Sequence, residues 1–256
     1  MPRLAPTEDE QIMTMPGAGN VQFSAVRMSK LGASQYSLIT ILLDRSGSTK
    51  PFESDLIKLS KAIVETCNSK NNPRRENLLL RYLVFNDNIT EVHGFKLLSS
   101  INTDDYEELE SQGMTALFGA TDDAVGATLT LSERLIGQDY DANGAIYIIT
   151  DGMNNVYSHA TPETIADRIK SALGKETVIE SLLTILIGLY DPKVRWSDET
   201  KKALETFKDD AGLDAYIEAG KATPENLSKI CNYVSGSISS VSQGLQTGVK
   251  SQPLTF

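Results

Sequence analysis

Three short stretches of this sequence place oxygen-bearing side chains where a buried element begins or stops. The first, DRSGST, follows the apolar run LITILL and supplies Asp44, Ser46 and Ser48 at alternating positions. The second, GMT, supplies Thr115 just before a long helical pattern, and the third, TDG, supplies Asp151 directly after the run GAIYIIT. Alternating side chains in a tight loop can turn their oxygens to one point, and glycine lets the backbone make the turn. The set holds two carboxylates and three hydroxyls, with neither cysteine nor histidine. Zinc, copper and non-haem iron favour nitrogen and sulfur, whereas Mg2+, Mn2+ and Ca2+ suit carboxylate, hydroxyl and water ligands. The expected cofactor is one of these three: Mg2+, Mn2+ or Ca2+.

Each stretch alone has a plainer reading: DRSGST as a strand-to-helix turn with a capping side chain, GMT as an N-cap, TDG as a turn. The elements around them decide between the readings. Residues 37–43 and 77–85 form continuous apolar runs, as do 144–150 and 180–188, the pattern of strands buried on both faces. Between them, 52–67, 117–135, 162–173, 197–211 and 224–240 carry apolar residues at helical spacing, with Thr161, Ser197 and Thr223 as N-caps. A last short strand is expected at 214–218, a short edge strand at 21–28, and a hairpin partner at 89–95 after the turn FNDN. Alternating strands and helices call for an α/β fold with a mostly parallel sheet, and ligands bind outside the carboxyl ends of such strands. All three oxygen-bearing stretches are expected there.

Asp44, Ser46 and Ser48 as D-x-S-x-S, Thr115 in GMTALFGA and Asp151 in TDG together resemble the metal-ion-dependent adhesion site of von Willebrand factor A (vWA) domains. The likeness covers roughly residues 37–240 and includes element order. It implies a Rossmann-like vWA fold: a central, mostly parallel six-stranded sheet, helices on both faces, and one short antiparallel edge strand at 89–95. It also implies Ser46, Ser48 and Thr115 as direct or near-direct ligands, with Asp44 and Asp151 binding directly or through water. The stretch YVSGSISSVSQ is similar to the end of bacterial tellurium-resistance-type domains, and Met114 stands where a second glycine is common. The function implied is a cytoplasmic, non-enzymatic protein-interaction module, in which a partner's Asp or Glu completes the metal shell. An AAA-type ATPase or a kinase of a bacterial or phage stress, defence or assembly system is the implied partner.

The formal net charge is -10 and no Lys/Arg cluster exceeds a pair, so the cationic face needed for nucleic acid or an anionic membrane is missing. No basic segment precedes an apolar one at the N-terminus, and LLTILIGLY is far shorter than the roughly 20 residues of a membrane span. Arg45 and Lys50 flank the ligands as a cationic partner-binding rim, with Arg195 nearby. Three units are expected: a flexible arm at 1–20, the vWA domain at 21–243 and a loose tail at 244–256. Glu8, Asp9 and Glu10 of the arm could reach the open metal position. Cys67 and Cys231 are expected as core thiols, His93 and His159 in surface or capping roles, Trp196 as a staple, and Tyr190, Asp191 and Pro192 near the rim. Two rival functions follow. A metal-dependent phosphohydrolase would need an acid where Ser46 stands and a general base that the three loops lack. A self-assembling structural subunit would use the metal only to hold a loop, and a homo-oligomer is compatible with either binding role.

Overall fold

The computed structural model describes residues 5–16, 21–70, 72–106, 110–175, 178–190, 197–247 and 252–256. Its strands are β1 (Glu10–Thr14), β2 (Gln22–Val26), β3 (Gln35–Asp44), β4 (Leu78–Phe85), β5 (Ile89–Leu97), β6 (Asp141–Thr150), β7 (Leu182–Leu189) and β8 (Ala215–Gly220). The helices are α1 (Glu53–Cys67), α2 (Leu117–Ile136), α3 (Pro162–Leu173), α4 (Ser197–Asp210) and α5 (Pro224–Thr247). The strands form one sheet in the order β1-β2-β5-β4-β3-β6-β7-β8. From β4 through β3, β6 and β7 to β8 the pairing is parallel, while β5 runs antiparallel to β4.

The apolar runs are continuous because both faces of the sheet are covered. Along β3, Ile39, Ile41 and Leu43 pack with α1 and α5, whereas Leu42 on the opposite face packs with α2, α3 and α4. Each fully buried aliphatic side chain of this kind contributes about 1.5–3 kcal/mol. Thr161 caps α3 through a reciprocal bond with Thr164, and proline follows it in the first turn. Among the described residues no helix is long and apolar enough to cross a membrane.

The sheet has eight strands, not six, and β5 is not its edge. On the far side of β5, β2 pairs in parallel at Ala25 and Phe95, and β1 pairs antiparallel to β2. Gly94 permits this approach, since a Cβ there would lie 1.8 Å from the Ser24 carbonyl oxygen. The expected flexible arm therefore contains a strand, whose Met13 is buried together with Met15, Phe23 and Phe95. One of its acids is tied down as well. Glu10 is buried, accepts from the Thr7 N–H at 2.7 Å and pairs with Lys96, while Asp9 pairs with Lys30 at 2.7 Å. These contacts commit Glu10 to the hairpin, whereas the Asp9–Lys30 pair and Glu8 stay exposed. At the other end α5 continues to Thr247, past the expected boundary, and the Phe256 ring packs edge-on against Tyr233 at 5.6 Å.

Candidate metal centre

Neighbours β3 and β6 lie where the sheet's order reverses, the place where parallel sheets open a crevice at their carboxyl ends. Asp44 ends β3, Thr150 ends β6, and the register of Leu43 opposite Ile149 sets the two side by side. The Thr150 hydroxyl donates to Asp44 Oδ2 at 2.5 Å, and the Ser46 N–H donates to Oδ1 at 2.7 Å. Asp44 is 1% exposed, and burial raises its pKa above the ordinary carboxylate value despite both donors. The Ser46 and Ser48 hydroxyls are 3.1 Å apart, and that of Ser48 donates to Asp151 Oδ1 at 2.8 Å. Desolvation, followed by the nearby charge of Asp44, pushes the Asp151 carboxyl up to about 7.

Thr115 reaches the same place from the loop before α2. Ser48, Thr115 and Asp151 line one cleft of about 610 Å3, and the Thr115 hydroxyl faces Gly152. Its loop is fastened from three sides. Asn155 accepts the Thr115 N–H at 2.6 Å and returns its own N–H to the Thr115 carbonyl at 3.0 Å. The Gly47 N–H donates to the Gly113 carbonyl at 3.1 Å. From the turn between β4 and β5, Asn86 Nδ2 donates to the Gln112 carbonyl, and Asp87 Oδ2 accepts the Met114 N–H at 3.1 Å. Of the five residues expected as ligands, Ser48, Thr115 and Asp151 line the cleft, while Asp44 and Ser46 are buried behind it and are joined to it through the Ser46–Ser48 hydroxyl contact.

Two carboxylates in one desolvated cleft, both pushed toward the neutral form and surrounded by hydroxyls, fit a divalent cation. Its charge would offset the repulsion that burial amplifies. Among the described residues no three His, Cys, Asp or Glu side chains are placed to hold a metal ion together, so any cation here depends on the hydroxyls. The rim differs from expectation. Lys50 is exposed, but Arg45 is half-buried and its Nη2 donates to the Thr90 hydroxyl at 3.2 Å. Tyr190 lines the cleft, whereas Asp191, Pro192, Arg195 and Trp196 lie outside the described residues.

Sequence reasoning missed the supporting shell of Thr150, Asn155, Asn86 and Asp87. Thr150 was within reach as part of TDG, and Asn86 and Asp87 as part of FNDN. It also misplaced His93, which is 2% exposed on β5. The His93 Nδ1 lies 2.9 Å from the Gly94 carbonyl and Nε2 lies 2.7 Å from Tyr106 Oη. Its imidazole is therefore assigned as neutral, donating from Nδ1 and accepting the Tyr106 proton. Cys67 and Cys231 are buried as expected, and burial pushes the Cys67 thiol up to about 12.

A larger cleft, about 810 Å3, is lined by Arg81, Glu91, Asp122, Asp123 and Arg168, and by none of the five expected ligands. Arg81 Nε donates to Glu91 at 2.9 Å and Nη1 donates to Asp123 at 2.7 Å, while Arg168 pairs with Asp122 at 3.1 Å. Its charges are largely spoken for within the fold, so the smaller cleft is the better candidate.

No protein-family model matches the chain, and no curated protein matches it in sequence. Solved structures do resemble its fold. The PilB minor pilin from Streptococcus sanguinis gives a TM-score of 0.55 at 13% identity over 87% of this chain and 66% of that one. Proximal thread matrix protein 1 from the mussel byssus, solved with a zinc-occupied MIDAS motif, gives 0.52 at 17% identity over 83% and 47%. The pilus adhesin SpaC from Lactobacillus rhamnosus GG, in its open conformation, gives 0.54 at 11% identity over 91% and 34%. The chain thus spans less than two thirds of each of these proteins. The likeness is one of fold: a vWA-like α/β domain.

Proposed function

We propose that this chain is a protein-interaction module that binds a partner through a divalent cation, Mg2+ first, with Mn2+ or Ca2+ as alternatives. The observation that carries the reading is the run of hydrogen bonds Asp44–Ser46–Ser48–Asp151 at the β3–β6 crevice, beside a cleft that Ser48, Thr115 and Asp151 line. Ser46, Ser48 and Thr115 present hydroxyl oxygens, and Asp44 and Asp151 hold the charge, directly or through water. A cation held largely by neutral oxygens keeps much of its charge and an exchangeable position, which a partner's Asp or Glu can fill. Thr150 and Asn155 hold the ligands in register. The reading assigns no catalysis, because the aspartate that ends β3 has no second acid two residues on and the stretches DRSGST, GMT and TDG hold no histidine. The setting is a cytoplasmic stress, defence or assembly system of bacterial or phage type, with an AAA-type ATPase or kinase as partner. The ending YVSGSISSVSQ and its tellurium-resistance likeness support that setting.

A structural subunit that assembles with itself is the second reading, favoured by neighbours described as a minor pilin and a thread matrix protein. Sizing by light scattering with Mg2+ and with EDTA separates the two: self-assembly that follows the metal supports the second.

The direct test of the metal is calorimetry and thermal unfolding with Mg2+, Mn2+, Ca2+ and Zn2+, the last included because the byssus protein's motif holds it. A ligand at 100 times its dissociation constant adds about 2.7 kcal/mol by linkage, so the melting temperature rises measurably. Asp44→Ala and Asp151→Asn abolish that rise. In EDTA, Asp151→Asn is no less stable than wild type, because it removes one of two desolvated carboxylates. A Mg2+ response equal in wild type and Asp44→Ala refutes the metal assignment.

A further inference from the structure

The loops that carry the proposed ligands also hold large apolar side chains in water. Met153, two residues after Asp151, lines the cleft and is 37% exposed; Met114, next to Thr115, is 49% exposed. Tyr157, on the same loop as Met153, is 88% exposed, and Pro51 and Phe52 line the cleft beside Ser48. Scattered apolar residues on a surface are ordinary, but these sit on backbone that is firmly fixed. The reciprocal bonds between Asn155 and Thr115 join the two methionine-bearing loops. Met114 is held by Asp87 after Gly113, whose φ of +78° favours glycine and whose missing Cβ leaves room for the Asp87 carboxylate. The fold orders the loops and leaves their apolar groups uncovered, which is unfavourable until something covers them.

We infer that Met114, Met153 and Tyr157 form an apolar collar that selects the partner. The occupant is an extended segment of another protein bearing an Asp or Glu with a bulky apolar residue beside it. The inference rests on the metal reading above. A carboxylate answers the proposed cation and the exposed Lys50 nearby in sequence, and the adjacent apolar side chain removes the collar from water. Methionine suits such a surface because its unbranched thioether repacks around different shapes, and tyrosine adds a flat ring with a polar tip.

The probes are two capped peptides, Gly-Leu-Asp-Phe-Gly and Gly-Ser-Asp-Ser-Gly, titrated by nuclear magnetic resonance into the protein saturated with Mg2+. The apolar peptide should bind about tenfold more tightly, a difference of about 1.4 kcal/mol. The double variant Met114→Ser/Met153→Ser should reduce that preference to about twofold or less while its Mg2+ affinity and melting temperature stay at wild-type values. Tyr157→Ser provides a second, independently folded check. Equal binding of the two peptides, binding of neither, or a preference that survives the double variant overturns the collar and leaves the metal centre standing. Failure of the wild type to bind Mg2+ by calorimetry overturns the metal reading, and the collar with it.

Discussion

The Thr150 hydroxyl has one proton, and its short bond to Asp44 Oδ2 takes it. The same oxygen accepts the Gly152 N–H at 3.1 Å, so Thr150 both aims the Asp44 carboxylate and shapes the turn that presents Asp151. Thr150→Val keeps the shape and removes the donor. It leaves a buried carboxylate oxygen short of one partner, at a cost of about 1–3 kcal/mol. It should also lower Mg2+ affinity about tenfold, as losses behind a metal ligand do. Thr150→Ser should restore both, and calorimetry with urea unfolding measures them. A stability loss with unchanged Mg2+ affinity would make Thr150 structural only. The five residues of the candidate site were legible in the sequence because Asp44 and Asp151 follow apolar runs and Thr115 precedes a long helical pattern, so chain order alone brings them to one sheet edge. Their support was not, since the Thr150 bond requires knowing that β3 and β6 are neighbours, and the Asn155 bond requires the loop's path.

Among the elements, β1 shows how a local pattern fails, whereas β2 falls within the strand expected at 21–28. Only Ile12, Met13 and Met15 interrupt a polar, acid-rich stretch, so no periodicity announces a strand. What holds the hairpin lies far away in sequence. Glu91 on β5 accepts the Ser24 N–H at 2.9 Å and its hydroxyl at 2.7 Å, and Arg81 on β4 lies 5.4 Å from the Phe23 ring and 6.0 Å from the Phe95 ring. Arg81 is the odd residue in the run LLLRYLVF, and it is 1% exposed. Its guanidinium bonds Glu91 and Asp123 together and so ties β4, β5, β2 and α2. Removing one partner from such a group leaves unpaired charge in the interior. Arg81→Met should therefore destabilise the domain by about 3–5 kcal/mol, read as a lower urea midpoint. The triple replacement of Arg81, Glu91 and Asp123 by Met, Gln and Asn should recover much of the loss. A single variant as stable as wild type would show that the network carries little of the hairpin's attachment.

For the whole molecule, what the sequence shows is the part built from repeated strand-helix units, and what it hides is the part completed by tertiary contact. The parallel strands β3, β4, β6, β7 and β8 follow from apolar runs and β2 from a partial alternation, whereas β1 and the burial of β5 follow from neighbours. His93 belongs to the second kind: a lone polar residue on an expected edge, it is covered by the Tyr106 ring, stacked at 5.8 Å, and by the Tyr82 ring at 6.3 Å. Burial, with smaller contributions from the Lys96 and Arg81 cations, lowers its pKa to about 4 against an ordinary 6.5, although the Gly94 carbonyl and Glu91 oppose the shift. A group whose folded pKa is depressed gives its full stability above the unfolded value and loses it as pH falls toward the folded one. Between pH 6.5 and 4 the unfolded chain takes up a proton that the folded chain refuses, and the loss amounts to about 2 kcal/mol by pH 5. Asp151 acts in the opposite direction in metal-free protein: its raised carboxyl is protonated as pH falls through about 7, which relieves the cleft. A pH profile of the wild type alone would mix the two, so the measurement is a difference. Urea unfolding of wild type and His93→Asn in EDTA should show a stability gap that narrows by about 2 kcal/mol from pH 7.5 to pH 5. A gap that stays constant across that range would mean the imidazole is protonated in the folded state, with Tyr106 and Gly94 both accepting from it.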